Sequence, residues 1–138
     1  MTTVVDIMST DVVTVPEDMT VRALARTLDV KGIRGAPVVR ADGRVVGVVS
    51  TADVARAAAR AGGVDLDRTN VRQIMTPFTF SVRPGTSIPD LARMLVHARL
   101  HRALVLESGR VIGIVSADDI LEHLAGVEGA LHPARWPR

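Results

Sequence analysis

The feature that most constrains this chain is an internal repeat with an offset of about 67 residues. Ile7-Met8-Ser9 recurs as Ile74-Met75-Thr76, and after the loss of one residue Gly47-Val48-Val49-Ser50 recurs as Gly113-Ile114-Val115-Ser116. The matches run in order along most of both halves, which chance does not readily produce. We infer that the 138-residue chain duplicates one small unit, which is too short to be stable by itself.

The first copy predicts the element order β-α-β-β-α from its apolar periodicity. The turn dipeptide Asp42-Gly43 indicates a hairpin, and Gly62-Gly63 indicates a helix end because glycine tolerates the left-handed cap. The predicted elements are a strand at 12–15, a helix at 20–31, strands at 36–40 and 45–50, and a helix at 51–61.

The second copy predicts the same order. Ser87-Ile88-Pro89-Asp90 is a typical helix start, with a hydroxyl cap and a proline in the first turn. Ser108-Gly109 indicates the hairpin, and Gly126 indicates the end of the last helix. The predicted elements are a strand at 79–82, a helix from residue 87, strands at 103–107 and 111–116, and a helix from residue 117.

Two such units predict an α/β (α+β) fold in which the repeats are related by a pseudo-twofold axis. The two sheets are expected to pack together, because a single three-stranded sheet would leave one face uncovered. The predicted divisions are residues 1–61 for repeat one, 62–70 for a polar linker, 71–126 for repeat two and 127–138 for a C-terminal tail.

Composition excludes several classes of function. Aromatic residues make up 2% of the chain, so the stacking surfaces of single-stranded nucleic-acid binders are missing, and cysteine is absent. The net charge of +2 comes from basic residues spread along the chain, which makes nucleic acid an unlikely partner. The N-terminus lacks a signal-peptide pattern and the apolar stretches are too short to span a membrane, so we expect a cytoplasmic protein without membrane contact.

The most informative motif is a hydroxyl followed three residues later by a carboxylate, at the junction of a strand and a helix. It occurs as Ser50 with Asp53 and again as Ser116 with Asp119. A carboxylate can accept hydrogen bonds from both hydroxyls of a ribose, and a helix N-terminus attracts phosphate. The same spacing is also a capping box, which needs no ligand. Both interpretations stay open at this point.

A second candidate site precedes the middle strand of each repeat. His101 and Arg102 stand together there in repeat two, whereas repeat one has Arg34 followed by Gly35. Arginine suits phosphate because its charged fork binds in a bidentate manner, although a solvated loop explains the same residues. The spacing of His97 and His101 does not predict a metal site, since no carboxylate accompanies them. Catalytic motifs of the nucleophile-elbow, phosphate-loop and zinc-protease types are absent, so we do not expect an enzyme.

These repeated motifs together resemble a tandem cystathionine β-synthase (CBS) domain pair, or Bateman module, over residues 4–125. The resemblance implies two clefts between the repeats that bind adenosine-containing ligands: AMP, ADP, ATP, S-adenosylmethionine or NAD. It assigns the motif aspartates to ribose, the motif serines and the residues before the middle strand to phosphate, and apolar side chains to adenine. The implied ligand-binding residues are Asp119, Ser116, Ile114, His101, Arg102, Ile33, Asp53, Ser50, Val48, Arg34 and Leu100.

The first repeat departs from this pattern, because Gly35 stands where repeat two has Arg102. We therefore expect the cleft with Asp119 to bind more strongly. The resemblance also implies a regulatory sensor without an obligatory cofactor, similar to small bacterial stress-associated members of the family. A homodimer is expected through the small residues Ala55, Ala57, Ala58 and Ala59. The alternative is a ligand-free dimerisation or protein-interaction module with an unknown protein target.

Overall fold

The computed structural model describes residues 1–60, 62–63, 65–77 and 80–126, so the predicted tail at 127–138 lies outside the described residues. In chain order the elements are α1 (Val4–Ile7), β1 (Val15–Pro16), α2 (Val21–Lys31), β2 (Gly35–Val39), β3 (Val45–Ser50), α3 (Thr51–Ala58), α4 (Val71–Ile74), β4 (Ser81–Val82), α5 (Ile88–Ala98), β5 (Arg102–Glu107), β6 (Arg110–Ser116) and α6 (Ala117–Ala125). They form two compact units.

The two units share one topology and confirm the predicted α/β fold with a β-α-β-β-α order. Each contains a three-stranded sheet, in the order β1-β2-β3 in one and β4-β5-β6 in the other. The first strand of each sheet is parallel to the middle strand, and the last two strands form an antiparallel hairpin. A helix follows the first strand and another follows the last.

The first strand of each unit is shorter than its β-branched run predicted. β1 is paired only through Val15 with Val38 and Pro16 with Val39, and β4 is paired only through Ser81 and Val82. The predicted strand at 12–15 is therefore wrong over its first three residues, which precede the first pair of the ladder.

Helix α3 ends earlier than Gly62-Gly63 predicted. Its last residue is Ala58, and Ala59 and Arg60 tighten the end by donating to Ala55 and Ala57. Helix α6 ends as predicted, with Gly126 in the left-handed conformation at φ 78°. The glycines therefore predicted the end of α6 correctly, whereas they placed the end of α3 three residues too far along the chain.

The one-residue difference between the repeats lies in the hairpin loops. In the second hairpin Glu107 pairs with Arg110, and the two loop residues Ser108 and Gly109 have φ values of 53° and 79°. Two positive φ values are the pattern of a type I′ turn. The loop of the first hairpin, residues 41–43, is one residue longer. Arg40 N–H donates to Arg44 O across it at 2.9 Å.

The predicted polar linker is part of the first unit, because it binds the start of α2. Val21 N–H donates to Thr69 O at 2.9 Å, and Arg22 N–H donates to Leu66 O at 3.0 Å. The Arg22 guanidinium also pairs with Asp67 at 2.6 Å and lowers the pKa of that carboxyl. The linker therefore supplies acceptors to helix N–H groups that otherwise lack partners.

The compact units divide the chain differently from the sequence repeats. Residues 13–77 form the first-repeat unit, whereas residues 1–12 pack with residues 80–126 in the second-repeat unit. Val4 of α1 is fully buried beside Leu91 in the second-repeat core, and Val71 of α4 is fully buried in the first-repeat core. The opening segment of repeat one, which contains α1, therefore packs with repeat two. The opening segment of repeat two, which contains α4, packs with repeat one.

Candidate functional site

The start of the closing helix carries the same capping box in both units. Ser50 N–H donates to Asp53 Oδ2 at 2.8 Å, and Asp53 N–H donates to Ser50 Oγ at 3.3 Å. The corresponding distances between Ser116 and Asp119 are 2.7 and 3.1 Å. Among the described residues these two aspartates are the buried charged side chains, with 6% and 7% of their surface exposed. The capping interpretation is confirmed, and the ribose assignment stays a prediction.

The carboxylate of the first-repeat box accepts two further hydrogen bonds from side chains. In the first-repeat unit the Ser50 hydroxyl donates to Asp53 Oδ2 at 3.2 Å, and Arg56 Nη2 donates to Asp53 Oδ1. The residue equivalent to Arg56 in repeat two is Glu122, which as a carboxylate has no proton to donate to Asp119. Asp53 is therefore held by its own helix through both oxygens.

The residues before the middle strand lie at the start of the closing helix in both units. Thr51 N–H donates to Arg34 O at 2.8 Å, and Ala117 N–H donates to His101 O at 2.7 Å. These bonds satisfy one of the helix N–H groups that lack an intrahelical partner. The structure thus brings the two sequence-predicted motifs of each repeat together.

Arg102 contributes a positive charge to the second-repeat site. It opens β5, where it pairs with Ser116, and its side chain is half-buried. Burial lowers the pKa of Arg102 below its usual value, and the negative charges of Asp118 and Asp119 oppose that shift. In the first-repeat unit the equivalent Gly35 is buried and offers no such group.

Ile33 and Leu100 occupy equivalent positions just after the first helix of each unit. Ile33 N–H donates to Leu28 O, and Leu100 N–H donates to Leu95 O, both at 3.0 Å. The residue before each is left-handed, Gly32 at φ 64° and Arg99 at φ 57°. This Schellman geometry ends each helix and sets the direction of the chain toward the predicted phosphate residues.

A shallow pocket in the first-repeat unit surrounds part of the predicted site. It contains Ile33 and Arg34 together with residues that sequence reasoning missed. Thr51 and Val54 come from the first turn of α3, Ala25, Leu28 and Asp29 come from α2, and Gly32 caps the end of α2. The strand-to-helix junction and the helical spacing of α2 were the signals that could have identified them.

The apolar residues predicted to contact adenine are paired with the opening segments through their backbones. Val48 N–H donates to Thr76 O at 2.9 Å, and Ile114 N–H donates to Ser9 O at 2.9 Å. The repeated Ile-Met-Ser/Thr motif therefore adds a short antiparallel bridge to the last strand of each sheet. Sequence reasoning recognised this motif but missed its contact.

The described residues do not provide a metal-binding cluster. They contain no group of three or more His, Cys, Asp and Glu side chains arranged to hold a metal ion. His97 and His101 are both exposed, at the end of α5 and before β5. None of the described helices is long and apolar enough to cross a membrane.

The sequence profile of the CBS domain matches residues 4–60 and 71–126. The chain belongs to the CBS domain family. The resemblance inferred from the repeated motifs is thereby confirmed, and the two profile matches correspond to the two sequence repeats of this CBS domain pair.

Two curated relatives differ in how much of their length this CBS pair represents. The homoserine O-acetyltransferase of Methanosalsum zhilinae is 34% identical over 119 residues, covering 86% of this chain but 23% of the enzyme. The chain thus spans about a quarter of that relative. Hypoxic response protein 1 of Mycobacterium tuberculosis is 27% identical over 124 residues, which covers 90% of this chain and 86% of that protein.

Two solved structures have the same fold. The CBS domain of a bacterial CNNM/CorC family Mg²⁺ transporter, in complex with ATP, has a TM-score of 0.75 at 25% identity and covers 91% of this chain and 89% of its own. CBSX2, in complex with AMP, has a TM-score of 0.74 at 26% identity and covers 91% of this chain and 98% of its own.

Proposed function

We propose that this CBS domain pair is a regulatory module that binds an adenosine-containing ligand and does not itself catalyse a reaction. The candidate ligands are AMP, ADP, ATP, S-adenosylmethionine and NAD, which share the adenosyl group. The observation that carries the proposal is the pair of buried, serine-capped carboxylates at the starts of α3 and α6. The AMP and ATP complexes of the two structural relatives support the same ligand class.

In the second-repeat unit each part of the ligand has a partner of suitable chemistry. Asp119 accepts hydrogen bonds from the ribose hydroxyls, and Ile114 provides an apolar surface for adenine. Arg102 and His101 bind phosphate, helped by the positive end of α6. Since Arg102 has no counterpart in repeat one, phosphorylated ligands bind the second-repeat site more strongly.

The same roles apply more weakly in the first-repeat unit. Asp53 would bind ribose, Val48 would contact adenine, and Arg34 with Ser50 would bind phosphate. Ile33 would add an apolar contact to adenine here, as Leu100 would in the second-repeat unit. The pocket around Ile33 and Arg34 supports this assignment because it lies beside the start of α3.

An adenosyl ligand is expected to raise the melting midpoint of the chain. A ligand that binds only the folded state at a tenfold excess over its Kd adds about 1.4 kcal/mol to the free energy of unfolding, which is a shift of several degrees. Differential scanning fluorimetry with AMP, ATP, S-adenosylmethionine and NAD measures this shift.

Guanosine monophosphate is the matched control, since it keeps the ribose and phosphate and changes only the base. A midpoint raised by AMP and unmoved by GMP supports an adenosyl site. A midpoint that no member of the panel moves at millimolar concentration contradicts the proposed function and favours the interaction module.

A second candidate function, self-association, rests on exposed apolar side chains of α5 and α6. Val96, Leu121 and Leu124 are 79%, 64% and 75% exposed, whereas the equivalent repeat-one positions hold Asp29, Ala55 and Ala58. Leu121 and Leu124 are three residues apart and so share one face of α6, and exposed apolar patches often mark an interface. Ala57, which sequence reasoning assigned to the interface, is fully buried in its own core, so that expectation is wrong.

We expect the chain to be a homodimer in solution. Light scattering coupled to gel filtration should give twice the chain mass of 14.7 kDa. Leu121→Glu should shift the population toward the monomer, because it adds a charge to the apolar surface, whereas Val30→Glu, at an exposed apolar side chain of α2, serves as the control. A monomer mass for the unmodified chain at high micromolar concentration would contradict the dimer.

A further inference from the structure

The exposed faces of the two closing helices differ in the size of their side chains. Leu121 and Leu124 project from α6 and are 64% and 75% exposed, whereas the equivalent positions of α3 hold Ala55 and Ala58, which are also exposed. Within each pair the residues are three apart and so share one face of their helix. Because the distance between packed helices depends on the side chains at the contact, another helix can approach the alanine face of α3 closely.

The charges around these faces are opposite in sign. The helical segments of repeat one, residues 21–31 and 51–60, contain five basic and two acidic residues, which is a net charge of +3. The equivalent segments of repeat two, residues 88–98 and 117–126, contain one basic and four acidic residues, which is a net charge of −3 with histidine neutral. The repeats thus carry complementary charges on equivalent helices.

Charge distinguishes the ways in which a second copy of the chain can cover the apolar face of α6. Two α6 helices facing each other would bring the acidic residues Asp118 and Glu122 of both copies together. Two α3 helices would bring Arg56 and Arg60 of both copies together. Like charges opposed across an interface are unfavourable, whereas α6 against α3 places opposite charges around a contact of large apolar side chains with small ones.

We propose that α6 of one copy packs against α3 of a second copy, with Leu121 and Leu124 seated on the surface formed by Ala55 and Ala58. When each copy contributes both faces, the contact occurs twice and closes a dimer with twofold symmetry. This inference rests on the proposed self-association and specifies which surfaces meet. It does not depend on the adenosyl ligand.

The test is cross-linking between copies that carry one cysteine each. The natural chain has no cysteine, so an introduced thiol is the only one present. Leu121→Cys, made with an affinity tag, is mixed with untagged Ala55→Cys and treated with a short bismaleimide. Because the tag separates the three possible products on a denaturing gel, the product that joins 121 to 55 can be counted. It is expected to exceed either self-linked product severalfold.

Val30→Cys on α2 is the matched control, since this side chain is 82% exposed and lies outside the proposed contact. Its product with Leu121→Cys measures random collision and should be minor. If Leu121→Cys links mainly to itself, or if Val30→Cys links to it as well as Ala55→Cys does, the α6–α3 contact is refuted. If light scattering shows these variants to be dimers but none of the pairs cross-links, the contact is refuted while self-association stands. If the unmodified chain is a monomer, both fail.

Salt dependence tests the charge argument separately. Raising the salt concentration from about 0.1 M to about 1 M shortens the Debye length from about 10 Å to about 3 Å, so attraction across the α6–α3 contact should weaken. The dissociation constant of the dimer, measured by light scattering over a dilution series, is expected to rise severalfold. A contact between two α6 helices would show the reverse, because salt relieves repulsion. A dissociation constant that falls or stays the same would overturn the proposed contact.

Discussion

Gly47→Ala is expected to destabilise the first-repeat unit by about 3 kcal/mol, at the upper end of the usual cost of overpacking. A Cβ at this position would lie 2.4 Å from Thr76 O and 3.0 Å from Met75 Sδ. Thr76 cannot move away easily, because it exchanges two backbone hydrogen bonds with Val48 at 2.8 and 2.9 Å. Urea denaturation followed by circular dichroism should show a lower transition midpoint.

Alanine substitutions at two other glycines are expected to destabilise the chain less than Gly47→Ala. A Cβ at Gly85 would meet no atom within 4 Å, so Gly85→Ala should change the midpoint little. At Gly113 the nearest atom is Met8 Sδ at 2.5 Å, which is flexible, but Ser9 O follows at 2.9 Å. Gly113→Ala should therefore be intermediate. Equal midpoints for Gly47→Ala and Gly85→Ala would show that the opening segment does not hold this position.

Asp119→Ala is expected to weaken every adenosyl ligand at the second-repeat site by at least tenfold. Losing hydrogen bonds to a charged group costs about 1.5–3 kcal/mol, and adenosine needs this carboxylate as much as AMP does. The substitution also removes the capping bond to Ser116 N–H at 2.7 Å, so stability should fall by about 1 kcal/mol as well. Calorimetric titration below the melting transition measures affinity separately from stability.

Two further substitutions identify the cause of that loss. Ser87→Ala removes a side-chain cap from the start of α5, where Ser87 Oγ accepts from Asp90 N–H at 3.2 Å. It should lower stability without changing affinity. Arg102→Ala should weaken AMP and spare adenosine, and its effect should shrink as salt rises. If Asp119→Ala lowers the melting midpoint but leaves adenosine affinity unchanged, Asp119 acts only as a helix cap and its assignment to ribose is refuted.

The amino-acid sequence by itself determined the features that depend on neighbouring residues. The caps at Ser50 and Ser116 join residues three apart, so their geometry follows from local spacing. The tight hairpin at Ser108-Gly109 and the helix end at Gly126 likewise require only the local φ preferences of the chain. The Asp53–Arg56 pair belongs to the same class, and its i,i+3 spacing was a readable signal that sequence reasoning missed.

Tertiary structure alone decided which repeat each opening segment joins. The Ile-Met-Ser/Thr motif was visible as a repeat, yet nothing in its residues indicates that Ser9 pairs with Ile114 or that Thr76 pairs with Val48. Those pairings depend on which sheet edge the chain can reach and on the absence of a side chain at Gly113 and Gly47. The position of Arg102 near Asp118 and Asp119 also required the strand and helix to pack, because interactions between distant residues depend on the path of the whole chain rather than on local spacing.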